Sequence, residues 1–384
     1  MTAPLLILGT GLAGYTLARE VRKLDRDRPL VLVSRDDAPF YSKPMLSNAL
    51  AAGKSATALV MKSAERMAEE LGATILPRRR VASLDPTARH VQLDGGEPLA
   101  YGDLVLALGA DPIRLPLAGD GADDVLSVND LDDFARFSAH LDGVQRVVIL
   151  GAGLIGCEFA NDLLARGISP SVFDVAPWPL GRLLPDAAGR HFQARLEAAG
   201  VRFHLGQAAQ AVHRDGPGYR VELGDGRQEP ADLVLSAVGL RPRTALAAAA
   251  GLTVGRGIAV DRRLATSDPH IFALGDCAEV EGLHLPFVQP LMQQARALAR
   301  SLTGTPTDVS YPPMPVLVKT PAIPTIVAPP PIGAAGVWRI VEDTPDAGLE
   351  ARFEAPDSSL RGFALLGPAT ARKQTLSAAL PALL

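Results

Sequence analysis

Leu5-Leu6-Ile7-Leu8-Gly9-Thr10-Gly11-Leu12-Ala13-Gly14 decides how the chain is read. Four consecutive apolar residues suit a parallel strand buried on both faces, and three glycines follow at once in Gly-x-Gly-x-x-Gly order. Gly9 permits a tight strand-to-helix turn. Gly11 leaves room for a pyrophosphate to approach the backbone, and Gly14 lets the helix pack against the strand. A helix expected over Tyr15 to Leu24 offers free N–H groups and a partial positive charge to an anion. Alone, a glycine-rich strand end is weak evidence; its position and its recurrence make it a dinucleotide site.

The recurrence begins at Arg146-Val147-Val148-Ile149-Leu150, which leads into Gly151-Ala152-Gly153-Leu154-Ile155-Gly156 and a helical stretch from Cys157 to Leu164. The next strand, Ser171-Val172-Phe173-Asp174, ends in an acid 18 residues past Gly156, where such an acid binds a ribose 2′-hydroxyl and repels a 2′-phosphate. A structural acid at a strand end is the other reading. Two dinucleotides are therefore expected. The first copy is less complete. Its second strand, Pro29 to Val33, ends at Ser34 where an acid is usual, followed by Arg35 and Asp36. Ser34 can still bond a hydroxyl, and Arg35 either covers the adenine or a phosphate or is a solvated loop charge.

A chain of 384 residues has room for two to three domains. Charged residues at 21% and hydrophobic residues at 47% fit a soluble globular protein. No apolar run approaches the roughly 20 residues that span a bilayer, and the start lacks a basic leader and a small-residue cleavage site. A net charge of −4 argues against a dedicated nucleic-acid binder. Cys157 and Cys277 form no Cys-x-x-Cys arrangement, which points to a reducing compartment and a cytoplasmic protein.

Five further stretches stand out. In Tyr41-Ser42-Lys43-Pro44 the proline holds Lys43 extended, as a ligand contact or a solvated charge. Arg78-Arg79-Arg80-Val81 reads as a solvated basic turn or a docking face for an acidic partner. Strand-like runs ending at Ala107-Leu108-Gly109 and Val238-Gly239 flank proline-rich crossings between domains. Ile271-Phe272-Ala273-Leu274-Gly275-Asp276 is a short strand meeting Gly-Asp. Asp276 has no basic residue near it in sequence, and an unpaired buried carboxylate is costly, so a ribityl hydroxyl is its expected partner. A helix over Leu291 to Thr303 follows. Glu158, just inside the second glycine-turn helix, stabilises a helix start by about 0.3–1 kcal/mol or serves a cofactor; the residues alone leave both open.

The order of these motifs, with Val238-Gly239-Leu240-Arg241-Pro242 and Phe272 to Asp276 closing it, resembles the two-dinucleotide flavoprotein reductases, which share the pyridine nucleotide-disulfide oxidoreductase fold, over about 300 residues. Lacking a redox cysteine pair, the chain is similar to the branch that reduces one-electron protein carriers. Ser42-Lys43-Pro44, Gly153 to Asp162, and Met314 to Pro321 resemble the bacterial rubredoxin reductases.

The resemblance implies an α/β protein. Two Rossmann-like domains are expected, FAD-binding (1–113 and 241–305) and NADH-binding (114–240), with a small α+β C-terminal domain (306–384) that covers the flavin. It places FAD on Gly9, Thr10, Gly11, Leu12, Ala13, Gly14, Ser34, Arg35, Lys43, Val81, Asp276 and Val288, and NADH on Gly151, Gly153, Gly156 and Asp174. Ser42, Ala107, Gly109, Leu154, Ile155 and Gly239 complete the expected cofactor contacts. Glu158 and Lys319 lie at the nicotinamide–flavin junction, with Lys43 or Lys319 opposite negative charge on the flavin. Strand-like Gly336 to Val341 and Arg361 to Leu366, and a buried Trp338, argue for a folded C-terminal piece. The implied activity is hydride transfer from NADH to FAD and single-electron transfer to rubredoxin, with no metal or protein nucleophile needed, feeding an alkane hydroxylase or a similar system. A monomer or weak dimer is expected. A ferredoxin or flavorubredoxin reductase, and an NADH-sensing flavoprotein with little turnover, are the alternatives.

Overall fold

A computed structural model describes residues 3–344 and 346–384; Met1, Thr2 and Pro345, which fall inside the expected first and third domains, lie outside the described residues. The quoted stretch forms the strand Leu5–Leu8 and the helix Leu12–Leu24, which starts three residues earlier than expected because Gly11 is its N-terminal boundary. That strand is the middle of a five-stranded parallel sheet. The strands run in the order Ile271–Ala273, Asp103–Leu106, Leu5–Leu8, Leu30–Val33 and Thr74–Leu76. Leu5 to Leu8 are buried on both faces, as an uninterrupted apolar run in a parallel sheet requires. The helix Leu12–Leu24 packs against Val288–Leu302, a helix that begins before the expected Leu291. A three-stranded antiparallel ribbon (Val81–Asp85, His90–Leu93, Leu99–Ala100) closes the unit.

The second unit repeats this plan. Arg202–Leu205, Ser169–Asp174, Arg146–Leu150 and Leu233–Ser236 form a parallel sheet, and Ala209–Asp215, Gly218–Leu223 and Gln228–Ala231 form its antiparallel ribbon. The chain enters along Ala110–Pro112 and leaves along Leu240–Pro242, and these two crossings pair antiparallel with Arg241 opposite Asp111.

A five-stranded antiparallel sheet makes the third unit, ordered Val316–Val318, Thr325–Ala328, Leu360–Leu366, Gly348–Glu354 and Val337–Thr344. Trp338 is half-buried rather than buried, because it sits on the edge strand with its ring edge-on to Phe353 at 5.6 Å. Val309 and Tyr311 belong to the core of the first unit, and Leu383 and Leu384 return to bond the backbone of Tyr311. Both ends of the third unit are thus tied to the first. Among the described residues no helix is long and apolar enough to cross a membrane.

Candidate functional site

The two glycine turns share one geometry. A Cβ on Gly9 would lie 2.2 Å from the Ala107 carbonyl oxygen, and on Gly151 2.6 Å from that of Ala237. On Gly14 and Gly156 it would lie 1.9 Å from the carbonyl oxygens of Gly9 and Gly151. The first and third glycines are therefore demanded by the protein's own backbone. The middle ones are not: a Cβ on Gly11 or Gly153 meets nothing within 4 Å. The space over each middle glycine, at the start of a helix with free N–H groups, is the cradle a pyrophosphate fills. Leu12, Ala13, Leu154 and Ile155 open those helices, and Ile155 is exposed beside the second cradle.

At the ends of the second strands the two units differ. Asp174 accepts from Ala152 N at 2.6 Å and Ala176 N at 2.8 Å, so it pins the second glycine turn while keeping lone pairs for a ribose. Ser34 is buried and accepts from Thr10 Oγ1 at 2.7 Å. Arg79 N donates to the Ser34 carbonyl, laying the segment that enters Val81 along this strand end. Arg35 stays half-exposed, 3.8 Å from Asp111 and 3.9 Å from Asp130.

Where the units meet, Ser42 leads into the short 3-10 helix Lys43–Asn48. Lys43 Nζ donates to Asn129 Oδ1 at 2.7 Å and lies 3.9 Å from Asp276 Oδ2. The expectation of an Asp276 without a cation is corrected: the chain folds a lysine onto it from 233 positions away (276 minus 43). Burial lowers the Lys43 ammonium below the ordinary lysine value, against the pull of Asp276. Gly109 and Gly239 both take positive φ at the crossings, and Arg243 reaches the Leu108 carbonyl at 2.6 Å and Asp111 at 2.5 Å. Val288 is the first residue of its helix and is exposed.

Glu158 is 1% exposed. Its Oε2 lies 2.9 Å from Lys319 Nζ and accepts from Ser47 Oγ at 2.5 Å, while Oε1 accepts from Lys319 N at 2.9 Å. Lys319 Nζ also donates to Ser47 Oγ at 2.8 Å and to the Pro44 carbonyl. One carboxylate thus joins all three units.

Two neighbours on the same helix, not singled out from the sequence, do the same work. Asn161 Oδ1 accepts from Ala322 N at 3.0 Å, and buried Asp162 accepts from Leu50 N and Ala51 N at 2.9 and 2.8 Å. Burial raises the Asp162 carboxyl above its usual range despite those two N–H groups. Their spacing from Glu158, three and four positions, puts them on its helix face.

The arginine run is elsewhere and largely matched. Arg78 pairs with Asp37 and Arg80 approaches Asp94 at 3.9 Å, beside Ser34 rather than beside Lys43 and Lys319. Cys157 and Cys277 are buried and unpaired, and burial pushes both thiols up, Cys277 to about 11. Among the described residues no cluster of three His, Cys, Asp or Glu side chains is placed to hold a metal.

Residues 3–299 match the family model described as pyridine nucleotide-disulphide oxidoreductase. The chain belongs to that family. Residues 308–380 match a second model, the rubredoxin binding C-terminal domain. Among relatives of this oxidoreductase, the chain is 47% identical to the rubredoxin-NAD(+) reductase of Alcanivorax borkumensis, with 99% of each chain covered. It is 40% identical to the nitric oxide reductase FlRd-NAD(+) reductase of Aeromonas hydrophila, over 99% of this chain and 95% of that one. Its fold matches the ferredoxin reductase for the CYP199A2 system from Rhodopseudomonas palustris with a TM-score of 0.88, at 29% identity, covering 97% of this chain and 93% of that one.

Proposed function

We propose that the chain takes hydride from NADH on FAD and passes single electrons to rubredoxin. The observation that carries this reading is the join at Glu158. There the helix of the second glycine turn, the Lys43–Asn48 turn of the first unit and the strand end of the rubredoxin-binding-type unit meet on one buried carboxylate.

The residues fit the cofactors. Gly11 leaves open the approach to one helix start and Gly153 to the other, while Gly275, next to Asp276, packs against Ala13 of the first glycine turn and Lys43 lies 3.9 Å from Asp276. FAD, when bound, converts the two-electron hydride chemistry of NADH into one-electron transfer. The protein's part is orientation and charge. Glu158, Ser47 and Asn161 hold the Lys319 strand against the nicotinamide-side helix. Lys43, partly desolvated and fixed by Asn129, sets a positive charge that favours anionic forms of a neighbouring ring system. The domain division in this reading assigns FAD to 1–113 and 241–305, NADH to 114–240 and the carrier to 306–384. The setting we propose is cytoplasmic, feeding a rubredoxin-dependent hydroxylase.

The test is NADH oxidation by the purified, yellow protein against rubredoxins, flavorubredoxins and ferredoxins. Rapid turnover with rubredoxin is expected. A colourless folded protein that ignores added FAD would end the reading, and tight NADH binding with negligible turnover on every carrier would favour a sensor.

Asp174 sets the nucleotide choice. Asp174→Ser is expected to narrow the preference for NADH over NADPH by about tenfold or more, since the charge that repels a 2′-phosphate is removed. Equal use of both nucleotides by the parent would contradict the assignment. Carrier docking falls on the apolar rim of the join rather than on the arginine run. Leu317 is 56% exposed two positions before Lys319, and Met45 is 38% exposed beside Pro44, whose carbonyl binds Lys319. Leu317→Asp should raise the KM for rubredoxin by about tenfold or more while stopped-flow flavin reduction by NADH stays at the parent rate; an unchanged KM would move the docking face elsewhere.

A further inference from the structure

The geometry points to Asp36 as the acid that binds the adenosine ribose of FAD, displaced two positions from the strand end where such an acid normally stands. This rests on the FAD reading above. A glycine-turn nucleotide site uses an acceptor at the end of its second strand for a ribose hydroxyl, and here that position is Ser34, buried and uncharged.

The hydrogen-bond directions around Ser34 are forced. A carboxylate only accepts, so Ser34 Oγ, 2.6 Å from Asp36 Oδ1, donates its single proton to it. Thr10 Oγ1, 2.7 Å from Ser34 Oγ, then donates to Ser34. Both hydroxyl protons are committed toward Asp36, and Ser34 has none left to give. Asp36 Oδ1 takes a further bond from Ala38 N at 2.8 Å, whereas among the described residues no protein donor meets Oδ2.

The loop that carries the acid is held in place. Arg78 N and Arg79 N donate to the carbonyls of Asp36 and Ser34. Ala38 sits at φ +54°, a left-handed conformation that a non-glycine residue keeps only when its surroundings enforce it, and Tyr15 Oη donates to its carbonyl at 2.6 Å from within the core. A half-buried carboxylate oxygen on a fixed loop beside the first glycine turn is a preformed acceptor for a hydroxyl.

The competing account is that Asp36 only closes its own turn through the bond to Ala38 N. Asp36→Asn keeps that turn, because the amide oxygen still accepts from Ser34 and Ala38, and replaces the free carboxylate oxygen by a donor. Diluting the full-length yellow protein and following flavin fluorescence gives the FAD dissociation constant. Asp36→Asn is expected to weaken it by about tenfold or more, as loss of a charged hydrogen bond does, with the melting point of the flavin-free chain unchanged. An FAD analogue lacking both hydroxyls of the adenosine ribose should bind the parent and Asp36→Asn alike. Asp37→Asn, on an exposed neighbour paired with Arg78, should bind FAD as the parent does. Unchanged FAD affinity in Asp36→Asn, or a loss that persists with the analogue or parallels a lower melting point, overturns the assignment. A parent protein that binds no flavin at all defeats the FAD reading instead.

Discussion

Glu158→Ala is expected to lower folding stability by on the order of 3 kcal/mol and to slow NADH-driven flavin reduction by at least about tenfold. The alanine leaves the Lys319 ammonium, the Lys319 backbone N–H and the Ser47 hydroxyl without the acceptor they share. Removing one partner of an enclosed ion pair costs far more than the pair contributes, because the surviving charge stays desolvated. Two companions separate charge from shape. Glu158→Gln keeps an acceptor and should lose less, and Glu158→Gln with Lys319→Met removes the orphaned charge and should recover part of the melting temperature. The kinetic loss should persist in the double variant, because the strand end at Lys319 is no longer registered against the nicotinamide-side helix. Thermal melts with stopped-flow flavin reduction read both effects. If Glu158→Ala melts with the parent and is reduced as fast, the join is incidental.

The second large effect is a contrast between matched glycines. Gly11→Ala should fold as well as the parent, since its Cβ meets nothing within 4 Å and its φ of −66° suits any residue, yet bind FAD at least about tenfold more weakly as the methyl group meets the pyrophosphate. Gly153→Ala, with φ −75° and the same open space, should retain FAD and raise the KM for NADH. Gly14→Ala and Gly156→Ala, whose new methyls would overlap backbone oxygens at 1.9 Å, should fail to fold or melt far lower. Flavin content and NADH titrations of the four variants check this. Loss of both nucleotides in Gly11→Ala would mean that the two turns are not separate sites.

What was legible in the sequence was what local chemistry writes there. The buried strands stood out as unbroken apolar runs, and the glycine turns by spacing that no other local purpose requires. Charges whose partners lie far along the chain were not legible. In sequence Asp276 lacks a cation because Lys43 is near it only in the fold, and Arg78 and Arg80 read as a free basic run because Asp37 and Asp94 come to them across turns. The roles of Asn129, Asn161 and Asp162 are hidden for the same reason, since each binds a unit other than its own. Within the third unit, Gly348–Glu354 carries a strand's alternation, with Leu349, Ala351 and Phe353 between Glu350, Arg352 and Glu354, but the alternation assigns Glu350 to the solvent side. That residue is instead fully buried and held by Arg352 at 2.6 Å and Arg372 at 2.5 Å, a compensation completed only when the chain folds Arg372 back onto the strand.

The paired crossings bear on how freely the two units can differ. Because Ala110–Pro112 and Leu240–Pro242 are hydrogen-bonded side by side, everything between them leaves and re-enters the first unit at a single point. A segment whose two ends touch can be spliced into a surface turn without disturbing the host's sheet. Here the enclosed segment carries the same strand, glycine turn, helix and antiparallel ribbon as the unit around it. Two copies of one nucleotide-binding plan joined at a single hinge of paired strands can each change its ligand without disturbing the other's sheet. Ser34 and Asp174, at equivalent strand ends, are one such difference.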